Sequence, residues 1–197
     1  MRVCAVIVAG GRSSRMGREK MFETIRGRSI LDRIVSGLQD QVEQVVLNAN
    51  GDVDRFQDAG LRVIGDLRRD VPTPLAGLHA ALDHANRQGF NAVLTVPSDA
   101  PFLPRNLKQR LEAAQRAASI AASAGQQHYL TGLWASTLLH EIETAMDAAH
   151  TSRLQDWARI CGAAVVEWPA LPFDPFFNVN TPEELAEAQR IAEEFKL

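Results

Sequence analysis

The sequence is poor in several features that would each point to a particular class of protein. Its 197 residues include only two cysteines, Cys4 and Cys161, whose spacing fits neither a metal-binding motif nor the disulfide framework of a small secreted domain. We interpret Cys4, which stands inside an apolar run, as a buried strand residue. No apolar stretch approaches the roughly 20 residues of a membrane-spanning helix, so a transmembrane protein is not predicted.

An excess of positive charge is also missing. Lysine and arginine number 21 against 24 aspartates and glutamates, which gives a net charge of −3 and does not favour a broad nucleic-acid or membrane surface. The first apolar stretch, residues 3–8, is too short for a signal peptide, and we expect a cytoplasmic protein. No linker, repeat or low-complexity tract divides residues 1–197, which predicts a single domain.

What the sequence does contain is an alternation of predicted strands and helices. Residues 3–8 form an uninterrupted apolar run rich in β-branched side chains, as is typical of a strand that is covered on both faces in a parallel sheet. Further strands are predicted at 42–47, 61–64, 92–96, 119–124, 127–134 and 164–168, and helices at 30–38, 52–59, 75–88, 137–149 and 154–161. Pro104 is predicted to begin another helix. A last helix is predicted from Pro182, with Thr181 and Glu184 forming a capping box.

This alternation predicts a three-layer α/β/α sandwich with a Rossmann-like, mostly parallel sheet. Ligands of such sheets bind beyond the carboxyl ends of the strands. Three segments are predicted to lie there: residues 10–20, 66–76 and 97–101.

The loop after the first predicted strand combines glycines with clustered positive charge. Gly10 and Gly11 follow the strand directly, where the lack of side chains lets backbone amides approach a phosphate or a base. Four basic residues come within the next nine positions: Arg12, Arg15, Arg18 and Lys20. The spacing matches neither a Walker A loop nor the Gly-x-Gly-x-x-Gly dinucleotide motif. We interpret the segment as an anion-binding loop, with a solvated basic turn as the alternative.

At this loop the sequence resembles a known family. Residues 10–17, with Lys20 just after them, are similar to the Gly-Gly-x-Ser-x-Arg-Met-Gly signature of pyrophosphorylase-type nucleotidyltransferases, and most similar to that of the molybdenum cofactor guanylyltransferases. The resemblance continues, in the family's order, through Asn48-Ala49-Asn50, Val63-Ile64-Gly65-Asp66, Pro72-Thr73-Pro74-Leu75-Ala76-Gly77, Val96-Pro97-Ser98-Asp99-Ala100-Pro101 and residues 177–185. The chain departs from the family pattern at Glu19 (aspartate), Thr73 (glycine) and Ser98 (cysteine).

The resemblance implies a nucleotidyltransferase fold, an activity and a set of substrates. It implies transfer of GMP from GTP to molybdenum-molybdopterin with Mg²⁺, and transient contacts with molybdenum-cofactor pathway proteins. It places nucleotide binding in about residues 1–100 and acceptor binding in about residues 101–197. The GTP-binding residues that it implies are Val8, Ala9, Gly10, Gly11, Lys20, Asn48, Asp66 and Asp99.

The chemistry of such a transfer fits the same residues. A phosphate oxygen that attacks an α-phosphorus is already ionised at pH 7, so catalysis depends mainly on cations that bring the anions together. Asp99 stands between two prolines just past a predicted strand and suits Mg²⁺, which takes one or two carboxylates and completes its shell with phosphates and water. The alternative for Asp99 is a turn cap near Pro104. Lys20 and Arg15 are predicted to be catalytic residues that neutralise the triphosphate and the departing pyrophosphate.

Several other polar residues keep two interpretations or receive none. Asn48 and Asp66 either reach the base or ribose from their strand ends or cap turns. Asn178 and Asn180 either hold the phosphate of the acceptor or satisfy the loop backbone before the last helix. His128 stands in a segment similar to one that lies near the acceptor in the family, but Tyr129 follows it where the family has proline. No role is assigned to His128.

Two competing classes of protein can be compared with the sequence. A molybdopterin cytidylyltransferase or a sugar-phosphate nucleotidyltransferase is the enzymatic alternative, but such cytidylyltransferases resemble Leu-Ala-Ala-Gly where this chain has Val8-Ala9-Gly10-Gly11. A nucleotide-binding regulator without catalytic activity is expected to lack the metal-binding aspartate or the lysine. This chain has both Asp99 and Lys20.

Overall fold

The protein is built on a seven-stranded sheet with helices on both faces. The computed structural model describes residues 1–9, 20–51, 56, 59–68, 73–148 and 151–197. Its strands are β1 (Val3–Val8), β2 (Thr24–Ile25), β3 (Arg28–Ser29), β4 (Gln44–Asn48), β5 (Arg62–Ile64), β6 (Ala92–Pro97), β7 (Ala118–Ser123), β8 (Gln126–Ala135) and β9 (Ala164–Trp168). Its α-helices are α1 (Ile30–Leu38), α2 (Pro74–Arg87), α3 (Leu107–Glu112), α4 (Leu139–Asp147), α5 (Leu154–Ile160) and α6 (Pro182–Glu194).

The strands of the large sheet run mostly in one direction. Their order is β5-β4-β1-β6-β8-β7-β9. β5, β4, β1 and β6 pair in parallel, β7 and β9 pair in parallel, and β8 runs antiparallel to both of its neighbours. The prediction of a mostly parallel sheet is therefore confirmed. β2 and β3 form a separate two-stranded sheet.

The three layers can be read from the side chains of β1, which lies inside the sheet. Val3, Ala5 and Ile7 belong to one buried cluster, which they share with α1, α3 and α6. The alternate residues Cys4, Val6 and Val8 belong to a second cluster, shared with α2, α4 and α5. Because successive side chains of a strand point to opposite faces, both faces of the sheet are covered by helices. The predicted three-layer arrangement and the buried position of Cys4 are confirmed.

Most element boundaries agree with the sequence predictions within one to three residues, but the prediction that Pro104 begins a helix is wrong. The helix starts at Leu107, and the Pro104 carbonyl accepts a hydrogen bond from the Leu107 amide at 3.1 Å. A residue remote in sequence fixes this start: the Gln41 side chain donates to the Pro104 carbonyl at 3.0 Å and accepts from the Lys108 amide at 2.9 Å. Gln41 therefore supplies the cap for this helix, where Pro104 was expected to begin it.

Two local predictions from the sequence are confirmed. The β7–β8 hairpin turns at Ala124 and Gly125, whose φ angles of 49° and 76° are both positive, as the tightest hairpin turns require. At the start of α6 the Thr181 hydroxyl accepts from the Glu184 amide at 3.2 Å, and the Glu184 carboxylate accepts from the Thr181 amide at 2.9 Å. This reciprocal pair is the predicted capping box.

Two of the sequence predictions concern segments that lie wholly or partly outside the described residues. The glycine- and arginine-rich loop, residues 10–19, lies outside the described residues, and so do most residues of the predicted helix at 52–59. Of the latter, Phe56 is buried in the cluster under α1. None of the helices in the described ranges combines the length and apolar character needed to cross a bilayer.

Candidate active site

The register of three parallel strands gathers the candidate residues at the carboxyl edge of the sheet. Val8, the last residue of β1, lies opposite Asn48 on β4 and opposite Pro97 on β6. The Ala9 amide then donates to the Asn48 carbonyl at 2.8 Å, so the chain leaves the sheet held against β4. The segments after β1, β4 and β6 consequently meet at one edge, where ligands of such folds bind.

One part of this edge is a hydrogen-bonded group of two asparagines and an aspartate. Asn48 donates to Asp66 Oδ1 at 3.0 Å and to the Ile64 carbonyl at 3.3 Å. Asn50 donates to Asp66 Oδ2 at 2.6 Å, and its own Oδ1 accepts from the Asp66 amide at 2.9 Å. The structure thus brings the predicted residues Asn48 and Asp66 together and adds Asn50, which the sequence analysis assigned no role. Each side chain fixes the orientation of the others.

Gly77 of α2 allows this group to form. A Cβ atom at Gly77 would lie 2.7 Å from Val8 Cγ1 and 2.8 Å from Asn48 Oδ1, both far inside contact distance. The helix therefore approaches the ends of β1 and β4 closely only because this position has no side chain. The glycine belongs to the Pro-Leu-Ala-Gly motif, and close packing of α2 against β1 and β4 is its structural role.

We expect Gly77→Ala to disturb the nucleotide end of the site. The new methyl group must displace Val8 and Asn48, and overpacking of this kind typically lowers the free energy of unfolding by about 1–3 kcal/mol. Because Asn48 moves with it, nucleotide affinity measured by titration should fall as well. Gly37→Ala in α1 is the matched control, since its nearest neighbours lie 3.7 Å away and a helical alanine is neutral or stabilising there. Unchanged stability and affinity in Gly77→Ala would contradict the packing role.

Asp99 is the most unusual carboxylate of the site. Its Oδ1 atom is buried and receives no hydrogen bond from any residue in the described part of the chain. Burial raises the pKa of the Asp99 carboxyl above its ordinary value, and the nearby Glu184 raises it further, while the positive charge of Lys20 opposes both. A buried acceptor without a donor is costly unless a ligand or ion supplies the partner. Asp99 Oδ1 therefore caps no turn in the described part of the chain.

The donor set around Asp99 fits a magnesium ion better than a zinc ion. Among the described residues, no cluster of three or more histidines, cysteines, aspartates and glutamates could hold a metal on its own. Zinc sites are built from three or four such ligands, whereas magnesium commonly takes one or two carboxylates and completes its shell with water and substrate phosphates. A lone buried carboxylate oxygen therefore suits magnesium that arrives with a nucleotide.

Lys20 is near enough to lower the pKa of this carboxylate, and it is held by the C-terminal motif. Its ammonium group donates to Asn180 Oδ1 at 3.0 Å. The Val179 amide donates to the Asp99 carbonyl at 2.9 Å, so the motif is also attached to the loop after β6. Three segments that are about 80 residues apart along the chain are joined in this way. The Asn180 side chain thus accepts from Lys20, while its backbone amide donates to Glu184 Oε2 at 2.6 Å.

A cleft of about 310 Å³ opens beside Asp99. One wall comes from the ends of β1 and β6 and the other from β8 and the loop before α6. The lining residues are Val8, Pro97, Ser98, Asp99, Gln126, Gln127, His128, Tyr129, Leu130, Thr131, Phe176 and Asn178. The predicted acceptor residue Asn178 thus shares a cleft with the predicted metal ligand. The first half of β8, which the sequence analysis left without a function, forms the far wall.

The structure places most of the predicted site residues along one edge. Val8, Ala9, Asn48 and Asp66 lie at the ends of β1, β4 and β5, Asp99 and Asn178 line the cleft, and Lys20 is bonded to Asn180. Gly10, Gly11 and Arg15 lie outside the described residues, and their roles stay predictions.

A parallel α/β sheet with a basic residue and a lone carboxylate at its carboxyl edge is the arrangement expected of a nucleotide-binding transferase. The chain belongs to the family of the MobA-like NTP transferase domain, whose family model matches residues 5–163. The fold agrees with a crystal structure of molybdopterin-guanine dinucleotide biosynthesis protein A from Archaeoglobus fulgidus. The TM-score is 0.71 with 24% sequence identity, over 98% of this chain and 100% of that chain.

Curated relatives resemble the chain along almost its whole length. A molybdenum cofactor guanylyltransferase from Nitrobacter hamburgensis is 43% identical over 196 residues, covering 95% of this chain and 93% of that protein. A protein of the same name from Rhodopseudomonas palustris is 44% identical over 195 residues, with the same coverage. These likenesses confirm the family resemblance that was drawn from the motifs.

Proposed function

We propose that the protein transfers GMP from GTP to molybdenum-molybdopterin and releases pyrophosphate. The product is the guanine dinucleotide form of the molybdenum cofactor. The observation that supports this most directly is that the 178–180 motif is hydrogen-bonded both to Lys20 and to the loop of Asp99, although the three are remote in sequence, and that Asp99 and Asn178 line one cleft. The names of relatives at 43% and 44% identity supply the acceptor and the nucleotide.

The nucleotide end of the proposed site uses the residues at the ends of β1, β4 and β5. Asn48 and Asp66 are hydrogen-bonded to each other, and in this proposal they bind the base or the ribose. The amides of the loop at Gly10 and Gly11 read the base, and Arg15 neutralises the triphosphate together with Lys20. These assignments follow from the family motifs and from the position of the ligand edge in parallel sheets.

In the transfer step, a phosphate oxygen of the acceptor forms a bond to the α-phosphorus of GTP. The bond from that phosphorus to the β-phosphate oxygen breaks, and pyrophosphate leaves. Asp99 would hold Mg²⁺, which when bound screens the charges of the phosphates. Lys20 stabilises the negative charge that develops on the leaving pyrophosphate. The acceptor lies against the β8 wall of the cleft, with Asn178 beside its phosphate.

The proposal is tested by incubating the protein with molybdenum-loaded molybdopterin, Mg²⁺ and each of the four nucleoside triphosphates in turn. We expect pyrophosphate release and a guanine dinucleotide product only with GTP and the acceptor together. Parallel reactions with a chelator in place of Mg²⁺ should give no product. Pyrophosphate release without the acceptor, or no product from any nucleotide, would contradict the proposed function.

A further inference from the structure

A chain of three side chains behind the cleft fixes the state of His128. The Ser123 hydroxyl, which is fully buried, donates to Asp174 Oδ1 at 2.8 Å. The same oxygen accepts from the Phe176 amide at 2.9 Å, so it acts as an acceptor on both sides. The Ser123 oxygen is 2.7 Å from His128 Nε2. Asp174 lies in the loop between β9 and α6, 51 residues from Ser123.

The direction of these bonds determines the histidine tautomer. A hydroxyl has a single hydrogen, and here Ser123 gives it to Asp174. Ser123 can then only accept from His128, so Nε2 of the ring carries a hydrogen. The other nitrogen, Nδ1, makes no hydrogen bond with a described residue and is not among the buried atoms that lack a partner. His128 lines the cleft, and its ring contacts Phe176 with a centroid distance of 4.8 Å.

The charge of the ring decides what Nδ1 can bind. Burial lowers the pKa of His128, and the carboxylates of Asp174 and Glu167 offset only part of this effect. Besides these two carboxylates, the acidic residue Asp99 lines the same cleft. At neutral pH the ring is therefore uncharged, and Nδ1 presents a lone pair. A lone pair repels an ionised phosphate oxygen but accepts a hydrogen bond from an N–H or O–H group.

We propose that His128 is a binding residue for the acceptor, whose heterocycle donates an N–H group to Nδ1, and that Ser123 and Asp174 position it by fixing the tautomer. The inference rests on the proposed function for the identity of the acceptor, because a pterin carries ring N–H and amino donors. It adds a specificity contact on the wall of the cleft opposite Asp99.

Two substitutions of His128 separate this contact from a structural role. The amide of asparagine places an acceptor near the position of Nδ1 but does not reach Ser123. The longer glutamine reaches Ser123 but leaves the Nδ1 position empty. We therefore expect His128→Gln to raise the KM for molybdenum-molybdopterin about tenfold, which is the loss of affinity that corresponds to one missing hydrogen bond. His128→Asn should raise it less, and neither variant should change the KM for GTP. The opposite order, or equal losses in both, would overturn the proposal.

Ser123→Ala tests the positioning role, and Ser119→Ala is the matched control. Both serines are buried on β7, but Ser119 donates to the Leu111 carbonyl away from the cleft. Ser123→Ala should raise the KM for the acceptor severalfold, and Ser119→Ala should leave it unchanged. In ¹⁵N spectra of the unliganded parent, the His128 ring should show a hydrogen on Nε2 and none on Nδ1, and Ser123→Ala should mix the two forms. A parent ring protonated at Nδ1 would overturn the proposal.

Binding measured without GTP keeps this inference distinguishable from the proposed function. Molybdenum-molybdopterin alone is titrated into the parent and the His128 variants, and the same order of affinities is expected. If the parent protein binds the pterin through His128 but forms no dinucleotide, the proposed function is contradicted and the inference about His128 is supported. If the parent protein forms the dinucleotide but the His128 variants show the reversed order of pterin affinities, only the inference about His128 is contradicted.

Discussion

Asp99→Asn is expected to abolish Mg²⁺-dependent turnover while leaving the protein folded. The substitution removes the charge of the one carboxylate whose buried oxygen has no partner among the described residues. Stabilisation by a metal-bridged charge is worth several kcal/mol, which corresponds to a loss of about a thousandfold or more in kcat. Turnover is followed by pyrophosphate release at saturating GTP and acceptor over a range of Mg²⁺ concentrations. Near-normal rates in a folded variant would eliminate Asp99 as the metal ligand.

The same variant should be at least as stable as the parent. Burial raises the pKa of Asp99, so the native state holds the proton more tightly than the unfolded chain does. Ionisation of this group at neutral pH therefore counts against folding, and an uncharged amide removes that cost. Asp83→Asn is the matched control, because Asp83 forms an (i, i+4) ion pair with the exposed Arg87 on α2. It should change neither turnover nor, by more than about 1 kcal/mol, the unfolding free energy.

Lys20→Ala should give the second-largest loss of activity. In the proposed function the ammonium group acts on the phosphates directly, and removal of a charge-assisted hydrogen bond costs about 1.5–3 kcal/mol. We expect kcat/KM for GTP to fall by about 10- to 150-fold, mainly in kcat, because the charge on the leaving pyrophosphate develops in the transition state. Lys108→Ala, which breaks an (i, i+4) pair with Glu112 on α3, is the control. An unchanged kcat with a raised KM would show that Lys20 binds ground state and transition state equally.

The bond between Lys20 and Asn180 can be tested in the same series. If Asn180 acts only by orienting Lys20, Asn180→Ala should slow the parent but add little in the Lys20→Ala background. If Asn180 also holds the acceptor, as the family motif implies, the double variant should show an additional rise in the KM for molybdopterin. The double-mutant cycle therefore separates the function that the geometry gives to Asn180 from the one that the family motif implies.

The fold was predictable from the sequence because its signals are local. β1 is a short apolar run ended by glycine, and the last helix has its own capping box, so both could be recognised without tertiary information. The start of α3 could not, because its cap is Gln41, which lies 67 residues from the Lys108 amide that it accepts. The prediction for Pro104 used only its neighbours in sequence and therefore could not include the contact with Gln41.

The residues of the candidate site were also predictable only where their sequence signals are local. Asp99 and Lys20 were recognisable because each stands in a motif next to a strand, and Asn48 and Asp66 because each stands at a strand end. The connections between them were not: nothing local indicates that Lys20 bonds to Asn180, 160 residues later. For His128 the sequence offered only the similarity of its segment to one near the acceptor, since Ser123 and Asp174 give it a defined state only when the chain folds.

The choice of nucleotide is the central claim of this account, and its physical basis is the edge of the base. Guanine presents a carbonyl acceptor and an amino donor where adenine presents only a donor. A site built to bond both groups is left with unpaired polar atoms when another base enters, at a cost of several kcal/mol. A pyrimidine also leaves part of a purine pocket unfilled. Thr73, the N-cap residue of α2, stands where the family has glycine, and we predict that its side chain lies near the guanine edge.

The most direct measurement is a competition between equal concentrations of GTP and CTP for limiting molybdenum-molybdopterin, read from the masses of the dinucleotide products. We predict a guanine product in excess by at least about a hundredfold, as a mismatch of several kcal/mol requires. A cytosine product in comparable or greater yield would contradict the account and would identify the chain as a cytidylyltransferase of the same fold.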